Sequence, residues 1–438
     1  MILPVRHHAQ RVAEDDDRTR IAPVRLPYEV RADHTKVHDE RMLAVIAAAK
    51  AHLGTEVDYF SRLRGEPVAP AQFARLHAFA TTVAASYRGP MLAYSLELAR
   101  DAMSSLAALR AQGGVEVLMA AKAMTPGPVF DLAARYLSGF DVSNEGEYEK
   151  LPRVLAGKTV FVTAPVFPRA LSAFTSRDND LVVTLDSLAQ YEALAAVEGP
   201  VDYCIRLSTS KLLEQDSHFG VPPEAHDLLQ RMITCGRHRF RGFHCHSGWS
   251  TSNTREAYVA MARNAAAAAR RLGVELAYLN LGGGICFLSM RELEAMVGEI
   301  KRVLPERTVL FFEPGRPLTE RAGFALGRIE AIVLRGDLFD LVVDLSSEAH
   351  LRWTDPMLIV PTAPPGSPTI RVRIVGPTCA ESDVLGVFEV PAATGEMPYR
   401  QGDLLMFGDV VGYSACWNVG FNGRPPAQVV HFDGPGSP

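Results

Sequence analysis

The chain runs to 438 residues, 47% of them apolar, with 45 basic against 50 acidic side chains and a formal net charge of −5. That length can bury a large core, as two or three domains or around an α/β barrel of about 250 residues. With no long basic run and no basic–aromatic stripe, the mild acidity argues against nucleic acid as a partner.

The opening MILPVRHHAQRVAEDDDRTR lacks an apolar h-region and a cleavage-site pattern. No window offers 18 uninterrupted apolar residues, so no membrane association is expected. Cys204, Cys235, Cys245, Cys286, Cys379 and Cys416 are widely spaced and form no CxxC pair. In a large chain without a secretory signal they read as reduced thiols, and the expected location is cytoplasmic.

In chain order, residues 1–35 are polar and irregular. Two helical patterns follow, HDERMLAVIAAAKAHLG and PAQFARLHAFATTVAASY, the second opened by a proline suited to a first turn. GPMLAYSLEL predicts a short strand running into the helix ELARDAMSSLAALRAQGG, which ends on glycines.

A rhythm of short β-branched runs separated by helical stretches then begins. The runs are VEVLMAAKA, GFDVSN, TVFVTAP, LVVTLDS, VDYCIRLS, RGFHCHSG, LAYLNLGGG and TVLFFEPG. Strands alternating with helices predict right-handed βαβ units, and eight of them predict a closed (β/α)8 barrel. After about residue 340, strand-like runs are separated by Pro- and Gly-rich turns, which predicts an antiparallel β domain. The expected organisation is a segment 1–89 with a helical insertion that partly joins the β domain, a barrel over 90–340, and a β domain over 341–438.

Barrel enzymes place their chemistry at the C-terminal ends of the strands. Those ends carry Lys122, then Asp141 and Ser143, then His244 and His246, then Gly282, Gly283 and Gly284, and lastly Glu313, Gly315 and Arg316. Lysine is scarce, at seven against thirty-eight arginines, yet Lys122 closes what reads as a buried strand. Burial lowers a lysine's pKa, and a partly neutral amine is the nucleophile that a Schiff base requires. A lysine near a strand end more often snorkels to water, and three glycines can simply make a loop. Together, an amine, a glycine-rich turn, an arginine and a carboxylate on one rim suit pyridoxal phosphate, with its aldehyde, phosphate and ring nitrogen.

The motifs AAKAM, GFDVSNEGE, SHFG, GFHCHSG, LGGG, FEPGR, GPTCAESD and GY…FNG occur in that order over roughly residues 90–425. In this order the chain resembles the fold-type III pyridoxal-phosphate decarboxylases that act on ornithine, arginine, lysine and diaminopimelate. The resemblance implies an alanine racemase-like barrel plus a mainly antiparallel β domain. It implies that Lys122 holds the cofactor as an internal aldimine, with Asp141 nearby, and that His246 stacks on the ring. Gly283, Gly284, Gly315, Arg316 and Tyr413 would bind the phosphate, with Ser250 as a helper, and Glu313 would pair with the ring nitrogen. Cys379, delivered from a second subunit, would protonate the α-carbon after CO2 leaves, so the active sites would be shared within a homodimer. No metal is implied.

The chain departs from the family pattern at the substrate end. Ala380 follows the cysteine where an acid usually stands, and Glu381 comes one position later, which speaks against ornithine and lysine as substrates. Asp344 occupies the place of a substrate-facing aspartate. Arg352 resembles an arginine that holds a distal carboxylate, but the usual proline and tyrosine do not follow it. The expected activity is decarboxylation of an amino acid or an amino-acid-derived intermediate. The rivals are a racemase or epimerase on the same fold, a metal-assisted aldolase, and a non-catalytic pyridoxal-phosphate-binding protein.

Overall fold

The computed structural model describes residues 87–125, 127–214, 217–234, 236–248, 253–336, 338–359, 368–392 and 396–433. Ser250 and, apart from Tyr87 and Arg88, the two helices expected between residues 38 and 88 lie outside them. The chain divides into two compact units, with breaks at Ala99/Arg100 and Leu318/Thr319.

The unit spanning 100–318 is a closed parallel barrel of eight strands. They are β2 (Val115–Ala120), β3 (Gly139–Val142), β4 (Thr159–Thr163), β5 (Asp180–Leu185), β6 (Asp202–Leu207), β7 (Arg239–Cys245), β8 (Tyr278–Asn280) and β9 (Val309–Phe312). Each pairs with the next, and β2 closes on β9 through Val115↔Leu310. All eight coincide with the runs read from the sequence. Their interior is filled, not hollow: Leu118, Phe161, Val182, Cys204 and Phe311 form one cluster, with the Phe161 and Phe311 rings 5.0 Å apart.

The intervening helices carry their own start and stop signals. Thr254 caps the helix Arg255–Leu272 by accepting from the Ala257 amide, and Gly273 ends it in the left-handed conformation. Ser289 and Glu292 form a capping box on the helix Met290–Val303. Among the described residues, no helix is long and apolar enough to cross a membrane.

The other unit is built on a mixed, mainly antiparallel sheet with the order β12-β15-β10-β11-β13-β14. Its strands are β10 (Gly323–Arg335), β11 (Leu338–Val343), β12 (Met357–Leu358), β13 (Thr369–Val375), β14 (Val384–Pro391) and β15 (Leu404–Gly408). β1 (Met91–Ser95) and β16 (Gln428–Phe432) pair with each other in parallel, and β1 also joins β10. The core beneath them includes Tyr87, Met91, Phe324, Leu326, Met406 and Phe432.

This division differs from the boundaries at 90, 340 and 341 drawn from the sequence. β1 is an element of the second sheet, because Met91–Tyr94 align with Leu326–Gly323 of β10. The sheet also begins earlier, at β10, whose 13 residues lack clean alternation because the strand changes partners along its length. The last strand-like run, DLLMFGDVVGYSA, is strand only to Gly408. Asp409 then takes a positive φ of 58°, and residues Gly412–Cys416 are helical.

Candidate active site

Within the barrel unit, the strand ends place several chemistry-bearing side chains on one rim. β2 stops at Ala120, and a single 3-10 turn follows over Ala121–Ala123. Ala121 and Ala123 take the buried positions of that turn, and Lys122 projects outward, 47% exposed. The expectation of a lysine desolvated by its own strand is therefore corrected. A small apolar residue fills each buried slot, and the cation keeps contact with water. The Lys122 amine lies 3.8 Å from Asp141 Oδ2, an aspartate buried on β3.

Glu313, just past β9, is also buried. Asn280 Nδ2 donates to its Oε1 at 2.5 Å, and His244 Nε2 lies 3.5 Å from its Oε2. Asn280 accepts in turn from the Gly282 amide, and the Glu313 amide donates to the Gly282 carbonyl. The carboxylate is thus fixed from β8 and the glycine turn.

Burial pushes the Asp141 carboxyl well above the usual range, and the nearby charge of Glu313 adds to this. Burial also raises Glu313, while Lys122, Asn280 and Arg206 act in the opposite direction. His244 and His246 are pushed well below the usual imidazole value by burial and by the charges of Lys122 and Arg206, so both rings are neutral near pH 7.

The glycine turn is packed too tightly for side chains. A Cβ on Gly283 would sit 2.7 Å from the Glu313 carbonyl oxygen, and one on Gly282 would enter the His246 ring. The Gly283 amide donates to His246 Nδ1 at 3.1 Å, which makes Nε2 the protonated nitrogen of the neutral ring. Gly283 was expected to offer that amide to a phosphate; here it orients the imidazole. Tyr258 Oη donates to the Gly283 carbonyl, and Asn253 donates to the carbonyls of Gly248 and Gly284. Arg316 is half-buried at the start of the short helix Arg316–Thr319, directly after buried Gly315.

Two residues here are absent from the strand-end candidates read from the sequence: Arg206 and Asn280. Arg206 on β6 is nearly buried, 3.8 Å from Asp186 Oδ1, with its guanidinium 4.4 Å from the Phe219 ring centroid. Phe219 and its neighbour His218 belong to the SHFG motif, and the Gly220 amide donates to Asp186 Oδ1. A cation set within the apolar run YCIRL, one residue before the strand ends, is the available signal for Arg206.

The remaining candidates belong to the sheet unit. Asp344 accepts from the Tyr87 hydroxyl with both oxygens at 2.9 Å and from the Arg328 amide at 2.8 Å. Arg352 pairs with Glu348 at 3.5 Å and lies over the Trp417 ring. Tyr413 is half-buried, its ring 5.6 Å from that of Trp353. Cys379 and Glu381 are exposed on the loop between β13 and β14.

The barrel rim fits a group with an aldehyde and a basic ring nitrogen. It has two buried carboxylates of raised pKa and an accessible amine. Asp141 Oδ1 and His244 Nδ1 are buried without hydrogen-bond partners among the described residues. Buried polar atoms left unpaired in this way point to a missing polar ligand.

Comparison with known proteins bears on the same elements. Residues 99–320 match the family profile described as "Pyridoxal-dependent decarboxylase, pyridoxal binding domain". The chain is 26% identical over 349 residues to a diaminopimelate decarboxylase of Pseudomonas aeruginosa, covering 73% of this chain and 81% of that one. It is 26% identical over 343 residues to a lysine/ornithine decarboxylase of Selenomonas ruminantium, covering 72% and 83%. The fold is shared with a lysine/ornithine decarboxylase from Vibrio vulnificus solved with putrescine, with a TM-score of 0.66 at 21% identity, covering 82% of this chain and 98% of that one.

Proposed function

This chain belongs to the pyridoxal-dependent decarboxylase family, and we propose that it removes the α-carboxylate of an amino acid or an amino-acid-derived intermediate, with Cys379 as the donor that protonates the α-carbon. When bound, pyridoxal 5′-phosphate supplies an aldehyde that captures amines and a ring that accepts the electron pair left by departing CO2. Lys122, beside Asp141, would hold it by its amine, and His246 would lie against its ring. Gly284, Gly315, Arg316, Tyr413 and Ser250 would receive its phosphate, with Gly283 shaping the turn.

The observation that carries this reading is the buried carboxyl of Glu313, gripped by Asn280 and close to His244. Burial favours the protonated form of Glu313. A basic nitrogen facing it would take that proton, and the pair would then strengthen each other electrostatically. Loss of a carboxylate calls for this strong electron sink, whereas a racemase is better served by a weaker one. The thiol of Cys379 is accessible for proton delivery. In our reading the thiol is supplied by a partner copy, so the site is complete only in a homodimer.

The substrate end favours a group other than a distal amine. Ala380 places no carboxylate beside Cys379, and Arg352 is a cation already engaged with Glu348 and Trp417. The test is incubation with pyridoxal phosphate in D2O against D- and L-amino acids, diaminopimelate and carboxylated polyamine precursors, read by mass spectrometry. Loss of CO2 with one deuterium gained at the former α-carbon supports the proposal and identifies the substrate class. Deuterium uptake without CO2 loss would overturn it in favour of a racemase.

A further inference from the structure

The loop that carries Cys379 spans residues 376–383, between β13 and β14, and one buried carboxylate organises it. Asp383 is 2% exposed and accepts four hydrogen bonds. Its Oδ1 receives the Ser347 amide at 2.7 Å and the Ser347 hydroxyl at 3.0 Å. Its Oδ2 receives the Ser346 hydroxyl at 2.9 Å and the Thr378 amide at 3.2 Å. The Thr378 amide belongs to the residue immediately before Cys379.

The backbone closes the same ring. The Gly376 amide donates to the Asp383 carbonyl, and the Asp383 amide donates to the Ala380 carbonyl. A Cβ on Gly376 would fall 2.2 Å from the Asp383 carboxylate, so only glycine admits the carboxylate at that point. The far end of the loop is anchored by Arg424, which donates to the Pro377 carbonyl at 2.8 Å. Ser346 and Ser347 lie two and three residues after Asp344, just past the end of β11, so Asp383 joins the thiol-bearing loop to the segment that leads to Arg352.

We propose that Asp383 is a positioning residue that sets the pose of the Cys379 thiol by tying its loop to the Ser346–Ser347 turn. This rests on the reading of Cys379 as proton donor only for its catalytic consequence; the restraint on the loop stands or falls by itself. A carboxylate is needed because four donors converge on it and an amide cannot accept from all four. With Asn at this position, an amide nitrogen would face N–H or O–H donors and the loop would open locally.

The test compares wild type, Asp383→Asn and the milder Ser347→Ala as full-chain holoenzyme. Iodoacetamide modification is followed at Cys379 and, as an internal reference on the same unit, at exposed Cys416. The Cys379:Cys416 rate ratio should rise on the order of tenfold in Asp383→Asn and by less in Ser347→Ala, as expected for loss of charge-assisted hydrogen bonds. Hydrogen exchange over Thr378–Asp383 should accelerate in parallel. A ratio that stays the same or falls in both variants, or cysteines that change together, overturns the proposal. Cys379→Ala separates the two readings. If that variant still decarboxylates at the wild-type rate, the donor role falls, while a raised labelling ratio in Asp383→Asn would still establish the restraint.

Discussion

Asn280 donates to Glu313 Oε1 at 2.5 Å from the neighbouring strand β8, and the Asn280 carbonyl group of the same side chain accepts from the Gly282 amide. One side chain therefore aligns both the buried carboxyl and the glycine turn. The Oε2 atom of Glu313 is left 3.5 Å from His244, a ring that burial keeps neutral. An acid held this way has little freedom to reorient, so its proton is offered in one direction.

Asn280→Ala should remove that alignment. It leaves a buried carboxyl oxygen and the Gly282 amide without partners, at a cost of about 1–3 kcal/mol in unfolding free energy. The pyridoxal phosphate dissociation constant should rise with it. Urea unfolding and a fluorescence titration with the cofactor check both; unchanged stability and affinity would show that Asn280 is dispensable.

Lys122→Arg keeps the charge beside Asp141 but replaces the only residue type able to become a neutral amine nucleophile there. Borohydride treatment should link pyridoxal phosphate to the wild-type chain and leave the variant without added mass. Turnover at the wild-type rate in this variant would remove Lys122 from the site.

Gly283→Ala should be tolerated poorly because its Cβ would meet the Glu313 carbonyl oxygen at 2.7 Å. The backbone must shift to relieve that contact, at a cost on the order of 1–3 kcal/mol. The shift also carries the amide away from His246 Nδ1. A lower unfolding midpoint with weakened cofactor binding is expected, against little change for Ala at Gly298, whose Cβ position meets nothing within 4 Å.

Asp344 gives a pH signature. Burial pushes its carboxyl up to about 6, despite the hydrogen bonds from Tyr87 and Arg328. Between the unfolded value near 4 and the folded value, only the native state holds the proton. Raising the pH through this window therefore removes stability, by up to about 3 kcal/mol. Asp344→Asn should flatten the decline in urea midpoint between pH 4 and pH 7. Parallel profiles for the two proteins would show that the carboxyl does not titrate there.

The shared-site proposal predicts complementation. Lys122→Ala and Cys379→Ala should each be nearly inactive alone. Coexpressed, they should recover on the order of a quarter of wild-type activity, because half of the dimers are mixed and each mixed dimer has one intact site. No recovery in mixed dimers demonstrated by mass would place Lys122 and Cys379 of one site on the same chain.

The eight barrel strands were legible because each is a short apolar run bounded by turn residues, a pattern carried by neighbouring positions. The strand-end lysine, glycines, glutamate and histidines were legible for the same reason. β10 was not: it pairs with β1 and β15 through its first half and with β11 through its second, with a bulge between Ile329 and Ala331, so no single alternation describes it. Arg206 is not legible in this way because its setting depends on Asp186 and Phe219, which lie on other elements.

The sequence by itself determined the barrel, the second sheet and the residue types presented at the strand ends, since period and turn chemistry act between near neighbours. Only the tertiary structure decided that Lys122 faces water, that the Gly283 amide is directed to His246, that Asn280 grips Glu313, and that Asp383 holds the loop of Cys379. Each of these depends on register and close packing between segments distant in the chain, where a shift of one residue or one ångström exchanges the partner.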